Sequence, residues 1–232
     1  VFNISENVAF IRNKITEIAP GRKVSFVAVT KTFSTDCIEE ALRAGITDIG
    51  ESKIQEALPK FDVLSNNKVF KDAKKHFIGH LQSNKAKKAV LNFDLIQSLD
   101  SIGLAGDINR HAGEINKIQE CLIELKISDE NTKYGVSASA VNEIFDYCKN
   151  SCLNIKIRGI MAIAPYFENK EEVRPYFKSA KDVFSELQNR CGEKTFEILS
   201  MGMSGDFDIA LQEGANMVRI GSALFGERIY DK

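Results

Sequence analysis

The chain has few of the residues that interrupt regular structure. Only 4 prolines and 15 glycines occur in 232 residues, against the roughly 12% of average usage for the pair, so regular elements joined by short loops are expected. No apolar run approaches the ~18–20 residues of a membrane span, and no membrane partner is expected. Charge of one sign is not in excess. The 31 basic and 32 acidic side chains leave a net charge of −1, which gives no polyelectrolyte surface for nucleic acid. A disordered chain is excluded as well, because 44% of the residues are hydrophobic and the net charge is small. Histidine is scarce at 3. His76 and His80 lack the spacing of a helical zinc motif, so no metal is expected. The 5 cysteines are odd in number and scattered, which suits a reduced, cytoplasmic protein rather than a disulfide framework. Cys148 and Cys152, one helical turn apart, read as ordinary helix cysteines. The start, Val1-Phe2-Asn3-Ile4-Ser5-Glu6, has neither the basic nor the apolar region of a signal peptide.

Strands and helices alternate along the chain. Ser5 is a candidate cap for a helix with the apolar stripe Val8, Ile11, Ile15, Ile18, onto which Ile4 could staple; Pro20-Gly21 ends it. β-rich runs follow at Val24–Thr30, Ile46–Ile49, Lys75–Ile78, Leu95–Ser98, Cys121–Ile127, Ile157–Ile163, Phe196–Met201 and Met217–Ile220. Helical patterns lie between them, such as Thr35–Ala44, stopped by Gly45, and Val141, Ile144, Phe145, Cys148 after the capping candidate Ser137. About eight such units imply parallel strands with right-handed crossovers. The length is that of a single (β/α)₈ TIM barrel, here with an extra N-terminal helix and no linker dividing residues 1–232. An open doubly wound sheet is the runner-up. It is disfavoured because Ser34-Thr35-Asp36 stands where its Gly-rich fingerprint would follow the first strand. The lysines 68, 71, 74, 75, 85, 87 and 88 read as a solvated face.

In such a barrel chemistry gathers at the C-terminal strand ends. Lys31 follows the first strand, where apolar walls would favour the neutral amine that Schiff-base chemistry needs. After the seventh strand stands Met201-Gly202-Met203-Ser204-Gly205. After the eighth stands Arg219-Ile220-Gly221-Ser222-Ala223-Leu224-Phe225-Gly226. Both are Gly/Ser turns opening a helix, the second only about one turn long. Such turns offer backbone N–H groups and hydroxyls to a phosphate. Asp206 and Asp208 would compete with an anion near Ser204, which gives Gly221 and Ser222 the greater weight. A lysine opposite a phosphate cup points to a phosphorylated carbonyl compound. Pyridoxal 5′-phosphate (PLP) is one, and the sugar-phosphate substrate of a Schiff-base aldolase is another. Arg219 favours PLP, whose pyridine nitrogen meets either an acid or an arginine.

At these residues the sequence resembles the YggS/PROSC family of PLP homeostasis proteins, which are related to the barrel of alanine racemase. The resemblance rests on Val27-Ala28-Val29-Thr30-Lys31, Gly50-Glu51-Ser52-Lys53-Ile54-Gln55-Glu56 and His76-Phe77-Ile78-Gly79-His80-Leu81-Gln82-Ser83-Asn84-Lys85. It continues in Glu130-Asn131-Thr132-Lys133-Tyr134-Gly135, Gly159-Ile160-Met161-Ala162-Ile163, Leu199-Ser200-Met201-Gly202-Met203-Ser204 and the run Val218–Gly226. Seven motifs in family order cover nearly the whole chain. The resemblance implies that Lys31 holds PLP as an internal aldimine, that Arg219 faces the pyridine nitrogen, and that Ser204, Gly221 and Ser222 surround the phosphate. Two positions depart from the family pattern. Ser52 stands where asparagine is frequent, and Ile163-Ala164-Pro165 lacks a second proline, a change expected to touch a loop more than the binding set.

Two functions compete. One is a PLP carrier that supplies or buffers the cofactor, with PLP-dependent apoenzymes as its partners. The other is a PLP-dependent amino-acid racemase. Racemisation needs a base on each face of the substrate α-carbon. Alanine racemases resemble this barrel but add a second domain that brings a tyrosine, and none is expected before Lys232. Tyr134 and Tyr166 read as structural or rim residues. Arg219 cannot lend the ring nitrogen a proton as a carboxylic acid can, which weakens the ring as an electron sink. A monomeric carrier is the favoured expectation.

Overall fold

The computed structural model describes residues 3–128, 134–192 and 195–227. The motif stretch Glu130–Lys133 therefore lies outside the described residues. Among those described, eight parallel strands close into a barrel in chain order: β1 Ser25–Val29, β2 Asp48–Glu51, β3 Lys74–Phe77, β4 Leu95–Leu99, β5 Gln119–Leu125, β6 Ile155–Ala162, β7 Ile198–Ser200 and β8 Met217–Ile220. β1 pairs with β2 on one side and with β8 on the other, which completes the ring.

Successive residues of a strand face opposite sides. The outward set, which includes Phe26, Ala28, Ile49, Phe77, Ile96 and Ile160, packs against the helices in one large core. The inward set forms a smaller cluster of Val27, Leu95, Leu122, Met161 and Met217. Both faces are buried, so the strands read as continuous apolar runs, as parallel strands do.

The N-terminal helix, Ile4–Ile18, differs from expectation at its start. Asn3, not Ser5, is the cap, and its side chain accepts a hydrogen bond from the Glu6 N–H at 3.1 Å. Ile4 then becomes the first residue of the buried stripe Ile4, Val8, Ile11, Ile15 instead of a staple outside the helix. Asparagine caps as well as serine, and burying Ile4 one turn before Val8 decides between them. Ser34 and Ser137 cap the helices Thr35–Arg43 and Ala138–Ser151.

Strand limits shift where flanking apolar residues pack against helices. Ile46 heads the expected second strand, yet its N–H bonds to the Ala41 carbonyl at the end of a helix, and β2 starts two residues later. Phe196 heads the expected seventh strand, but its ring packs between Phe145 and Phe184 outside the barrel. The cysteines 37, 121, 148, 152 and 191 are free thiols. No helix is long and apolar enough to cross a membrane, among the described residues.

Candidate functional site

β1 delivers Lys31 to the C-terminal rim, and the chain on either side of it is clamped. Thr30, fully buried, donates its hydroxyl to Glu51 Oε1 at 2.8 Å. Thr32 lies at φ +71°, an outlier for a β-branched residue. Its N–H donates to the Glu56 carboxylate, which holds it there. Lys60 ties the two sides together. Its Nζ donates to the Thr30 carbonyl at 2.9 Å, to Glu51 Oε1 at 3.0 Å and to Glu56 Oε1 at 2.7 Å. Burial pushes the Glu51 carboxyl up despite Lys60 and Thr30. For Glu56, burial works in the same direction, but the hydrogen bonds from Lys60 and the Thr32 N–H win and hold it below the usual range.

β7 ends in a turn that requires glycine. Gly202 has φ +94°, and a Cβ there would sit 2.6 Å from Ala210 Cβ. This turn carries Ser204 to the start of the one-turn helix Ser222–Phe225. The N–H groups of Gly221 and Ala223 converge on Ser204 Oγ, each at 3.2 Å. At Gly221 a Cβ would meet nothing of the protein closer than Val29 Cβ at 3.5 Å, so its bare backbone is not dictated by packing and leaves room on the cavity side. Asp206 stands at the start of the next helix, Phe207–Gln212, and its carboxylate accepts from the Met203 N–H at 2.6 Å. It lies in the same loop as Ser204, as the sequence implied.

β8 carries Arg219, which is 4% exposed. Its Nη1 donates to Ser200 Oγ at 2.6 Å and its Nη2 to the Ala162 carbonyl at 2.9 Å. Burial lowers its pKa to about 10 against the attraction of Asp206 and Glu124, so it remains a cation at neutral pH.

One cavity of about 420 Å³ is lined by all five residues singled out from the sequence: Lys31, Ser204, Arg219, Gly221 and Ser222. Its volume suits a small cofactor. The apolar walls are Val29, Ile78, Ile163, Ala164, Pro165 and Met203. Two features escaped sequence reasoning. Ser52 lines the cavity in spite of its departure from the family pattern, and so do Ile163-Ala164-Pro165, which makes both departures part of the cavity wall. Tyr166, read as a structural or rim residue, lines it too while remaining 89% exposed, whereas Tyr134 stacks on His80 with ring centroids 3.9 Å apart. The second is Glu124. Burial, then the neighbouring Asp100, raise its pKa to about 7 against the pull of Arg219. The signal was a lone carboxylate inside the apolar run Cys-Leu-Ile-Glu-Leu.

The sequence and the fold have counterparts in known proteins. Residues 2–229 match the family described as alanine racemase, N-terminal domain. The pyridoxal phosphate homeostasis protein of Aquifex aeolicus (strain VF5) is 41% identical over 88% of this chain and 87% of its own length. The protein of that name from Escherichia coli (strain K12) is 35% identical over 99% of both. The solved structure of PipY from Synechococcus elongatus PCC7942 without PLP superposes with a TM-score of 0.87 at 34% identity, covering 96% of this chain and 100% of that one. The PipY structure with PLP bound superposes with a TM-score of 0.84. Alanine racemase from Clostridium difficile 630 shares the fold at 16% identity and a TM-score of 0.70, with this chain spanning 58% of its length. With the barrel, the clamped strand-end lysine and the relatives in agreement, this chain belongs to the pyridoxal phosphate homeostasis protein family, built on the alanine racemase N-terminal domain.

Proposed function

We propose that this protein binds PLP through Lys31 and carries it, supplying or buffering the cofactor for PLP-dependent apoenzymes. The observation that supports this most is the single cavity bounded by an amine at one strand end, a hydroxyl-and-amide cup across from it, and a buried arginine between strands. When bound, PLP supplies an aldehyde that condenses reversibly with an amine. Lys31 offers that amine from a rim that Thr30, Thr32 and Lys60 hold in place. Ser204, Ser222 and the N–H groups of Gly221 and Ala223 would hold the phosphate. The cup fits because those two N–H groups already meet at one oxygen, Ser204 Oγ. Arg219 would face the ring nitrogen. With a pKa of about 10 it stays protonated, so it donates a hydrogen bond there and does not hand over a proton. A ring left without that proton is a poor electron sink, which favours holding over transformation. A reversible bond at a rim lysine is open to displacement by another amine, as a carrier requires. The chain acts as one barrel domain, in the reduced cytoplasm, and as a monomer.

The racemase reading meets the carrier reading in one experiment. PLP-loaded protein is incubated with alanine or serine in deuterated buffer, and separately with an apoenzyme. The carrier reading expects deuterium to enter the α-carbon no faster than with free PLP, and the apoenzyme to gain activity. Exchange at about 1 s⁻¹ or above, within the usual enzyme range, would overturn it.

A further inference from the structure

Arg219 is buried, yet both of the hydrogen bonds it makes among the described residues go to neutral groups, a hydroxyl and a carbonyl. The Ser200 hydroxyl that receives one of them starts an unbroken line of side chains. Ser200 Oγ donates to Gln97 Oε1 at 2.7 Å. Gln97 Nε2 stands 2.9 Å from His76 Nδ1 and 3.3 Å from Met217 Sδ. His76 Nε2 stands 2.9 Å from Asp48 Oδ1. Ser200 lies on β7 and Gln97 on β4, which are not neighbours in the sheet, so this bond crosses the barrel interior. The apolar side chains of Val27 and Met161 belong to the same interior.

 Leu95, Leu122 and Met217 complete that apolar cluster, which encloses the line. His76 and Gln97 are no more than 1% exposed, and Ser200 is fully buried.

Chemistry fixes the direction of every bond. Arginine can only donate. Ser200 therefore accepts from Arg219 and turns its own proton to the Gln97 carbonyl oxygen. That leaves the Gln97 amide N–H for His76 Nδ1, which must accept. The imidazole proton then sits on Nε2 and donates to the Asp48 carboxylate. All the dipoles align, with a cation at the cofactor end and an anion at the other. Asp48 lines the cavities at the N-terminal strand ends, on the face opposite Lys31.

We propose that Ser200, Gln97, His76 and Asp48 form a positioning relay for Arg219, which fixes the guanidinium from within the barrel. Asp206 and Glu124 attract the guanidinium from nearer the cavity, so the relay's part is to orient Arg219. The remaining guanidinium donors are left for the cavity that Arg219 lines. None of the four touches the cofactor, so their effect is read through Arg219. The inference rests on the PLP-binding reading for its consequence, but the relay itself is a property of the protein alone.

Two measurements test it. In the cofactor-free protein, the ¹⁵N shifts of the His76 ring at neutral pH are expected to report the neutral tautomer with its proton on Nε2. A proton on Nδ1 would overturn the relay, whether or not PLP binds. In the PLP-loaded protein, Gln97→Leu is expected to move the absorption maximum of the bound cofactor. It should also weaken PLP binding about three- to tenfold, as coupled contacts do, while borohydride still fixes PLP on Lys31 at saturation. Gln97→Glu keeps an acceptor for Ser200 but takes the amide donor from His76 Nδ1, so it is expected to abolish the ¹⁵N pattern of a neutral His76 with its proton on Nε2. Ile108→Val, a core change outside the relay, controls for lost stability and should leave the spectrum unmoved. Gln97→Leu matching the parent, or shifting the spectrum no more than Ile108→Val, would overturn the proposal. Failure of the unsubstituted protein to take up PLP would instead overturn the binding reading, with the His76 tautomer still deciding the relay.

Discussion

Replacing Lys60 with methionine tests the clamp around Lys31. The change keeps most of the aliphatic stem and removes three hydrogen bonds, to the Thr30 carbonyl, Glu51 and Glu56. Glu51 is fully buried, and its Oε2 has no hydrogen-bond partner among the described residues. Without Lys60 its charge keeps only the Thr30 hydroxyl. Removing one partner of a buried ion pair costs about 3–5 kcal/mol, a large part of the roughly 5–15 kcal/mol that stabilises a typical domain. The penalty depends on pH. Burial already raises the Glu51 pKa above its unfolded value, and loss of Lys60 raises it further. A folded-state pKa above the unfolded one means that the native state binds more protons, so stability falls as pH rises through the folded value. Lys60→Met is therefore expected to lose about 3–5 kcal/mol at pH 8 and clearly less at pH 5, where Glu51 can be neutral. Denaturant unfolding at both pH values measures this, with equal m-values required for the comparison. Glu51→Gln in the Lys60→Met background should recover much of the loss. A penalty below about 0.5 kcal/mol, the usual range for surface changes, or one equal at the two pH values, would refute the reasoning.

Three further outcomes follow from the same geometry. Ser204→Ala removes the oxygen on which two N–H groups converge and is expected to weaken PLP binding about tenfold or more, as loss of a charge-assisted hydrogen bond does; equilibrium dialysis measures it. Glu124→Gln removes a carboxyl whose pKa of about 7 lies above its unfolded value of 4.5. The parent should therefore lose stability from about pH 5 upward, and the variant should be flatter, gaining on the order of 3 kcal/mol at pH 8 in denaturant titrations. Gly202→Ala forces a Cβ to 2.6 Å from Ala210 Cβ at φ +94°, and calorimetry should show a loss of at least about 1–3 kcal/mol.

The barrel was legible because its strands carry β-rich apolar runs separated by capped helices. Ser137 caps where the sequence placed a cap, and Ser34 caps the helix that the pattern began at Thr35. Boundaries blurred where an apolar residue serves a helix contact instead of a strand. Ile46 and Phe196 are the examples, since hydrophobicity records burial and not the partner that provides it. That Lys31, Ser204, Gly221 and Ser222 line one cavity was legible because each follows a strand, with Arg219 joining them from within β8, and parallel strands in a barrel bring such positions to one rim. The clamp was not. Glu51, Glu56 and Lys60 carry no spacing that separates a buried carboxylate from a solvated one. The interior line was also hidden. Gln97 and Ser200 are 103 positions apart, and their meeting depends on barrel closure, which no local pattern encodes.

The central claim is that Lys31 is the residue that holds PLP. Borohydride reduction of PLP-loaded protein, followed by peptide mass analysis, tests it directly. The account predicts one modified site, Lys31, with the yellow colour bleached on reduction and labelling lost in Lys31→Ala. Predominant labelling at another lysine, or undiminished labelling of Lys31→Ala, would contradict it.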